Sequence, residues 1–164
     1  MLNKINFLFV TLFGIGKLKK IPGSYASLVT TIFLFILFHI FNFSPNIVLI
    51  GIIIVLLISL YAVNIFIKDL DNKDPKEVVI DEFIGQSIPI CLYEIAHEGT
   101  KETGQVLTLY FIMFILFRIF DIVKPYPVSY YDKKFKNSFG VIMDDVCAGL
   151  YVVAVLVLYM VINS

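Results

Sequence analysis

Four long runs of apolar residues dominate the hydrophobic pattern of this chain. They extend over Ser24–Phe43, Ile47–Ile67, Gln105–Val123 and Gly140–Ile162. A helix of about 20 mostly apolar residues crosses the hydrocarbon layer of a bilayer. No charged residue occurs between Lys20 and Lys68. The runs therefore predict membrane-spanning α-helices, and Pro45 should interrupt the helix in the turn between the first two.

A fifth apolar stretch, residues 83–96, is shorter and contains Pro89. Its pattern alone does not distinguish a helix that crosses the membrane from one that re-enters it or packs inside the bundle. The positive-inside rule places the lysine-bearing segments 1–23, 68–82 and 124–139 in the cytoplasm, which requires the fifth stretch to cross. We therefore predict an all-α, polytopic membrane bundle with five crossings, one of them short or proline-interrupted, and with four crossings as the alternative.

Composition supports one membrane-embedded domain over residues 1–164. The chain is 59% hydrophobic and only 16% charged, whereas soluble domains carry roughly 25% charged residues. Its net charge is zero, so nothing indicates a nucleic-acid partner. Cys91 and Cys147 lie in apolar stretches and are expected to be buried thiols rather than a disulfide. The N-terminus lacks a small-residue cleavage site, so a removable signal peptide is not expected.

Most of the polar chemistry lies in four stretches that the predicted topology gathers at the cytoplasmic face of the membrane. These are residues 14–27, 68–86, 117–127 and 140–149. They contain five carboxylates: Asp81, Glu82, Asp121, Asp144 and Asp145. An unpaired carboxylate within the apolar slab costs on the order of 3 kcal/mol, and neighbouring carboxylates also repel each other. A divalent cation would relieve both costs, and oxygen ligands favour Mg²⁺ or Mn²⁺ over zinc.

Arg118 and Lys124 add positive charge three residues before and after Asp121, on the same side of one helix. Ser24 follows "PG" and is a candidate helix N-cap, where free backbone N–H groups could bind an anion. The same stretches contain small residues that close helix packing explains at least as well as contact with a ligand. These are Gly14, Gly16, Gly85, Ala148 and Gly149. Charges at the ends of spans also commonly reach the interface without any further role.

Residues 68–74, "KDLDNKD", have a weak similarity to an acidic calcium loop and to the D-x-D-x-T nucleophile of some phosphatases. The calcium reading lacks the glycine at the sixth position and the distal glutamate. In the phosphatase reading, Lys73 stands where threonine belongs.

Four motifs together resemble the phosphatidylglycerophosphatase A family of bacterial membrane lipid phosphatases, over residues 13–150. "PGSYAS" is similar to its P-G-T-x-G-S, and "VIDEFIGQ" to its D-E-x-x-G. "FRIFDIVKPYPV" is similar to its F-R-x-x-D-x-x-K-P-x-P, and "GVIMDDVCAG" to its G-x-x-x-D-D-x-x-A-G. Ser24 replaces the usual threonine and Ala26 the usual glycine.

The resemblance implies magnesium-dependent removal of the terminal phosphate of phosphatidylglycerophosphate, at the cytoplasmic side of the bacterial inner membrane. The five carboxylates are then metal ligands or orient the attacking water, and the phosphate is bound by Ser24, Arg118 and Lys124. The implied catalytic set is Asp81, Glu82, Arg118, Asp121, Lys124, Asp144 and Asp145. We expect metal-activated water as the nucleophile, with an aspartyl-phosphate intermediate as the open alternative.

Other classes of protein remain as alternatives at this stage. A small membrane scaffold or a transporter would also carry intramembrane charges, but a transporter commonly shows repeated halves and a site near the midplane. No internal repeat is visible here. An enzyme that transfers an alcohol onto a CDP-linked lipid would show a D-G-x-x-A-R signature, which is absent.

Overall fold

The computed structural model describes residues 2–97 and 103–162. This part of the chain is helical and contains no β-strand, which confirms the predicted fold class. A short 3₁₀ turn at Ile15–Lys17 lies between the first two of its helices. The α-helices are α1 (Leu2–Val10), α2 (Pro22–His39), α3 (Pro45–Ile67), α4 (Ile80–His97), α5 (Thr103–Val123), α6 (Val128–Lys134) and α7 (Ser138–Ile162).

Four helices are long and apolar enough to cross a membrane, and they correspond to the four predicted runs: α2, α3, α5 and α7. Each helix begins two residues earlier than predicted; α2 ends four residues earlier, and the other three end at the predicted residue. Pro45 does not merely break the chain, since it is the first residue of α3, where its missing N–H costs no hydrogen bond. The prediction that Ser24 caps α2 is wrong. The cap position is held by Ile21, and Ser24 is the third residue of the helix.

The fifth stretch forms one continuous helix, α4, which is 18 residues long and keeps Pro89 inside it. At about 1.5 Å per residue it measures about 27 Å, close to the thickness of the hydrocarbon layer. It packs against α2, α3 and α7, and most of its side chains are buried. Such a helix can contain polar residues because its neighbours, rather than lipid, surround it.

The two ends of α4 lie at opposite ends of the bundle. Near its C-terminus, Glu94 is 3.3 Å from His39 at the end of α2 and accepts a 2.8 Å hydrogen bond from Tyr110 of α5. Its first turn, with Asp81 and Glu82, instead faces the start of α2 and the end of α5. This arrangement supports five passes through the bundle. Residues 98–102, between α4 and α5, lie outside the described residues.

Two glycines lie at a close contact between the backbones of α4 and α7. A Cβ atom added at Gly149 would lie 2.3 Å from the carbonyl oxygen of Gly85. One added at Gly85 would lie 2.6 Å from the carbonyl oxygen of Asp145. The two backbones therefore approach each other directly, as small residues allow in membrane helices. This confirms the packing explanation for these two glycines.

The N-terminal segment braces the end of the bundle that carries the polar stretches. Asn6 of α1 donates a 3.0 Å hydrogen bond to the carbonyl oxygen of Ala62 in α3. The backbone N–H of Val79, just before α4, donates to the carbonyl oxygen of Val10. The N-terminal segment thus stabilises the position at which α4 begins.

Cys91 and Cys147 are buried free thiols, as predicted.

Candidate active site

The first turns of α2 and α4, the second turn of α7 and the end of α5 meet around one cavity of about 450 Å³. Every residue that the sequence analysis assigned to catalysis or phosphate binding lines this cavity. These are Ser24, Asp81, Glu82, Arg118, Asp121, Lys124, Asp144 and Asp145. The cavity lies at the end of the bundle where α3 and α5 finish, and Asp74 and Lys76 of the α3–α4 loop also line it.

Three of the carboxylates form a tight cluster. Oxygen atoms of Asp81, Glu82 and Asp145 all lie within 4.8 Å of one another. Asp81 and Asp145 are only 7% and 3% exposed. The second carboxylate oxygen of Glu82, Oε2, is buried and has no hydrogen-bond partner among the described residues. Buried, mutually repelling oxygens with an unused acceptor are the donor set that a hard divalent cation prefers.

The guanidinium of Arg118 lies beside this cluster and is held on two sides. Its Nη2 is 2.9 Å from Oδ2 of Asp121, one turn further along α5. Its Nη1 donates to Oγ of Ser27 at 3.3 Å, and Ser27 itself donates to the carbonyl oxygen of Gly23. The Nε of Arg118 is buried without a hydrogen-bond partner among the described residues. One strong donor of the guanidinium is therefore still available for an anion.

Gly23 allows the start of α2 to approach both charged groups. A Cβ atom at this position would lie 1.9 Å from Oε1 of Glu82 and 3.4 Å from Nη1 of Arg118. Ser24 follows it in the first turn, and both residues line the cavity. The first N–H groups of a helix have no acceptor within the helix. Although Ser24 is not the cap, its place at this helix end still suits binding of an anion.

Lys124 is engaged differently from Arg118. It follows the last residue of α5 and has a left-handed backbone conformation, with φ of 47°. Its Nζ lies 2.7 Å from Oδ2 of Asp144 and 2.8 Å from Oδ1 of Asp132. Burial opposes its charge, but the hydrogen bonds to Asp132 and Asp144 raise the pKa of Lys124 above its ordinary value. Lys124 is therefore a permanent cation that neutralises two carboxylates at the rim of the cavity.

The structure adds residues that sequence reasoning did not assign. Ser27 positions Arg118, and its only sequence signal was its place in "PGSYAS". Asp132, on the short helix α6, shares Lys124 with Asp144, and no spacing pattern pointed to it. In the loop before α4, Asn72 and Asp74 exchange backbone and side-chain hydrogen bonds in a local turn.

Fold and site together define a class of protein: a multi-pass helical membrane protein with a cluster of carboxylates and a guanidinium at one end of the bundle. Comparison with known families agrees. The family model for phosphatidylglycerophosphatase A matches residues 8–160. The chain belongs to this family, and it is accordingly a phosphoric monoester hydrolase.

Individual relatives support the assignment. The chain is similar to "Phosphatidylglycerophosphatase A" of Haemophilus influenzae, with 34% identity over 94% of this chain and 88% of the relative. It is 28% identical to the protein of the same name from Escherichia coli K12, over 84% and 73% of the two chains. It is also 32% identical to "Putative phosphatidylinositol-3-phosphatase" of Bacteroides thetaiotaomicron, over 85% and 83%. No solved structure matches the chain.

Proposed function

We propose that this protein hydrolyses the terminal phosphate monoester of phosphatidylglycerophosphate in a Mg²⁺-dependent reaction, giving phosphatidylglycerol and inorganic phosphate. The observation that carries the proposal is the buried cluster of Asp81, Glu82 and Asp145 beside Arg118, inside a bundle of membrane helices. The substrate is inferred from the relatives that are named phosphatidylglycerophosphatase A. The site lies where a lipid headgroup would be, at the end of the apolar helices.

We assign phosphate binding to the cationic side of the cavity. Arg118 offers its free Nε–H to a phosphate oxygen, while Asp121 and Ser27 keep the guanidinium in place. The first turn of α2, with Ser24, adds N–H groups and a hydroxyl. Lys124 contributes a positive field from the rim rather than a direct contact, because Asp132 and Asp144 already occupy its ammonium group.

The acidic side of the cavity fits a divalent cation. Asp81, Glu82 and Asp145 would hold Mg²⁺, with Mn²⁺ as a chemically similar substitute. When bound, the cation would neutralise phosphate charge and activate water at neutral pH. Asp144 and Asp121 are less suited to bind the cation directly, since each is already paired with a cationic side chain. Phosphoryl transfer depends mainly on such positioning and charge neutralisation.

Water is the proposed nucleophile. Among the residues that line the cavity there is no cysteine or histidine. Ser24 therefore has no imidazole base beside it in this cavity, and His39 is engaged with Glu94 at the far end of the bundle. Asp121 or Asp144, which line the cavity outside the cluster, can accept the proton from the attacking water.

We further propose that the site faces the cytoplasm of a bacterial inner membrane. The lysine-bearing segments 1–23, 68–82 and 124–139 lie at the same end of the bundle as the cavity. Positive segments remain on the cytoplasmic side during insertion. A substrate made on that side would then reach the cavity without crossing the bilayer.

Release of inorganic phosphate from phosphatidylglycerophosphate by the purified protein in detergent micelles tests the proposal. Activity should require added Mg²⁺, disappear in EDTA and return when excess Mg²⁺ is supplied, because the carboxylates alone repel the substrate. Asp69→Asn, at an exposed acidic residue outside the cavity, is the matched control and should behave like the natural chain. Full activity in EDTA would disprove the role of the metal.

One relative suggests a second substrate, since the Bacteroides protein is named a putative phosphatidylinositol-3-phosphatase. The same assay with phosphatidylinositol 3-phosphate decides between the two lipids. We expect a higher kcat/KM for phosphatidylglycerophosphate. The reverse order would transfer the proposal to the inositol lipid, and release from neither would refute both.

A further inference from the structure

An apolar groove of about 240 Å³ lies between α2 and α5 on the outside of the bundle. Its floor contains the buried residues Thr31 and Tyr110, and its sides contain Ile32 and Phe111, which are 51% and 60% exposed. In a helix bundle within a bilayer, such exposed apolar side chains face the acyl chains of lipids. The groove is therefore open to the hydrocarbon layer.

The α2 side of this groove continues directly from the catalytic cavity. Ser24 lines the cavity, and the groove residues follow it at positions 28, 31, 32 and 35. At about 100° per residue, all five positions lie within about 100° of one side of the helix. One continuous stripe of α2 thus runs from the polar cavity into the apolar groove. The groove residues of this stripe are Leu28, Thr31, Ile32 and Phe35.

The α5 side shows the same continuity in the opposite chain direction. Arg118 lines the cavity, and the groove residues precede it at positions 114, 111, 110 and 107. These positions also lie within about 100° of one side of α5. The groove residues of this stripe are Leu107, Tyr110, Phe111 and Phe114. Both walls of the groove therefore lead to residues that we assign to phosphate binding.

The distance from the phosphate-binding residues to the far end of the groove matches the thickness of one leaflet of a bilayer. From Ser24 to Phe35, and from Arg118 to Leu107, the chain advances eleven positions, or about 16 Å along a helix. Half of the hydrocarbon thickness of a bilayer is about 15 Å. A phosphate held by Arg118 would thus place an acyl chain of the same lipid along the full groove.

We propose that the groove between α2 and α5 is the acyl-chain site of the lipid substrate, which enters the cavity sideways from the bilayer. The inference rests on the proposed function, because the phosphate of that lipid occupies the cavity. Arg118 and Ser24 bind the headgroup, and the groove residues select a membrane-embedded monoester over a water-soluble one.

A second apolar groove borders α2 on its other side, where Ile80 and Phe83 contribute from α4. At about 100° per residue, the mean direction of these two side chains on α4 is about 180° from the mean direction of Asp81 and Glu82. The body of α4 therefore separates that groove from the carboxylate cluster. For this reason we assign the acyl chain to the groove between α2 and α5.

Photocrosslinking tests the site independently of turnover. The probe is phosphatidylglycerophosphate with a diazirine near the middle of one acyl chain, bound to the protein in nanodiscs. Adducts mapped by mass spectrometry should concentrate on residues 28–35 and 107–114, and excess unlabelled phosphatidylglycerophosphate should remove them while phosphatidylcholine does not. Adducts spread evenly over the exposed face of α3, or concentrated at Phe83, would overturn the proposal.

A matched pair of variants tests the consequence for catalysis. Ile32→Trp fills the groove, whereas Ile54→Trp makes the same change at an equally exposed position of α3 outside it. Filling an apolar pocket should lower kcat/KM for the lipid by about 10-fold or more, mainly through KM, with Ile54→Trp close to the natural chain. Equal effects of the two variants would overturn the groove assignment. Absence of phosphate release by the natural chain, with the crosslinks retained, would instead refute the proposed function.

Discussion

At the scale of single residues, the five carboxylates of the site divide into two kinds. Asp81, Glu82 and Asp145 gather within 4.8 Å with no ion pair among the described residues. Asp121 and Asp144 are each paired, one with Arg118 and the other with Lys124. The carboxylates of the first kind repel one another, and a bound cation would relieve this repulsion, whereas each carboxylate of the second kind is already neutralised by a cationic side chain. The same substitution should therefore act differently on the two kinds.

Asp145→Asn should reduce phosphate release at least about 100-fold, as expected when a key electrostatic element of a site is lost. Its melting temperature should stay the same or rise, because one of three repelling charges disappears. The measurements are kcat and Tm on the same purified variant in the absence of added metal.

Asp144→Asn provides the contrast. It removes the negative charge of the carboxylate that lies 2.7 Å from the Lys124 ammonium group and should lower stability by about 1–3 kcal/mol, since Asp132 is then the only carboxylate paired with Lys124 among the described residues. Its Tm should fall below that of Asp145→Asn. If Asp145→Asn retained normal turnover and lost stability instead, its assignment as a cation ligand would be wrong.

At the scale of helices, the contact between α4 and α7 sets the geometry of the carboxylate cluster. Asp81 and Glu82 belong to α4 and Asp145 belongs to α7, and the two helices touch at Gly85 and Gly149. Any side chain at this contact must push the helices apart. The cluster would then widen, although none of its own residues has changed.

Gly85→Ala should therefore lower both the Tm and the phosphatase activity, because its Cβ would meet the carbonyl oxygen of Asp145 at 2.6 Å. Gly51→Ala is the matched control, since a Cβ at that exposed position of α3 meets no atom within 4 Å. The control should keep its activity and its Tm. A Gly85→Ala variant as active and stable as Gly51→Ala would show that the helix contact does not position the site.

At the scale of the whole molecule, α4 decides the topology. Its two ends contact opposite ends of the bundle, so the lysine-bearing segments share one side only when α4 passes through. Its polar residues are accommodated because α2, α3 and α7 surround it. A helix with this composition would be unfavourable in direct contact with lipid.

Cysteine accessibility in intact cells tests this topology. In a background with alanine at positions 91 and 147, Asn42→Cys should react with an impermeant thiol reagent. Asp71→Cys and Lys133→Cys should react only after permeabilisation. Residues 42, 71 and 133 are all exposed. Labelling of position 133 from outside, with position 71 protected, would mean that α4 does not cross.

The sequence by itself determined the features that depend on residues close together in the chain. The four spans follow from apolar runs of about 20 residues, since an α-helix is what satisfies their backbone in lipid. The ion pair of Arg118 and Asp121 follows from a spacing of three on one helix. The motifs around Asp81, Arg118 and Asp145 pointed to residues that the structure brings together in one cavity. Their catalytic role stays a prediction.

Contacts between distant segments were decided only by the tertiary structure. Ser27 and Arg118 are 91 positions apart, and their hydrogen bond depends on how α2 packs against α5. Asp132 contacts Lys124 because Lys124, directly after α5, has a left-handed backbone conformation and α6 folds back toward it. No periodicity in the sequence indicates this turn. The division of the carboxylates and the groove beside Arg118 likewise arise from helix packing, because distances between helices depend on side-chain shape and not on spacing along one helix.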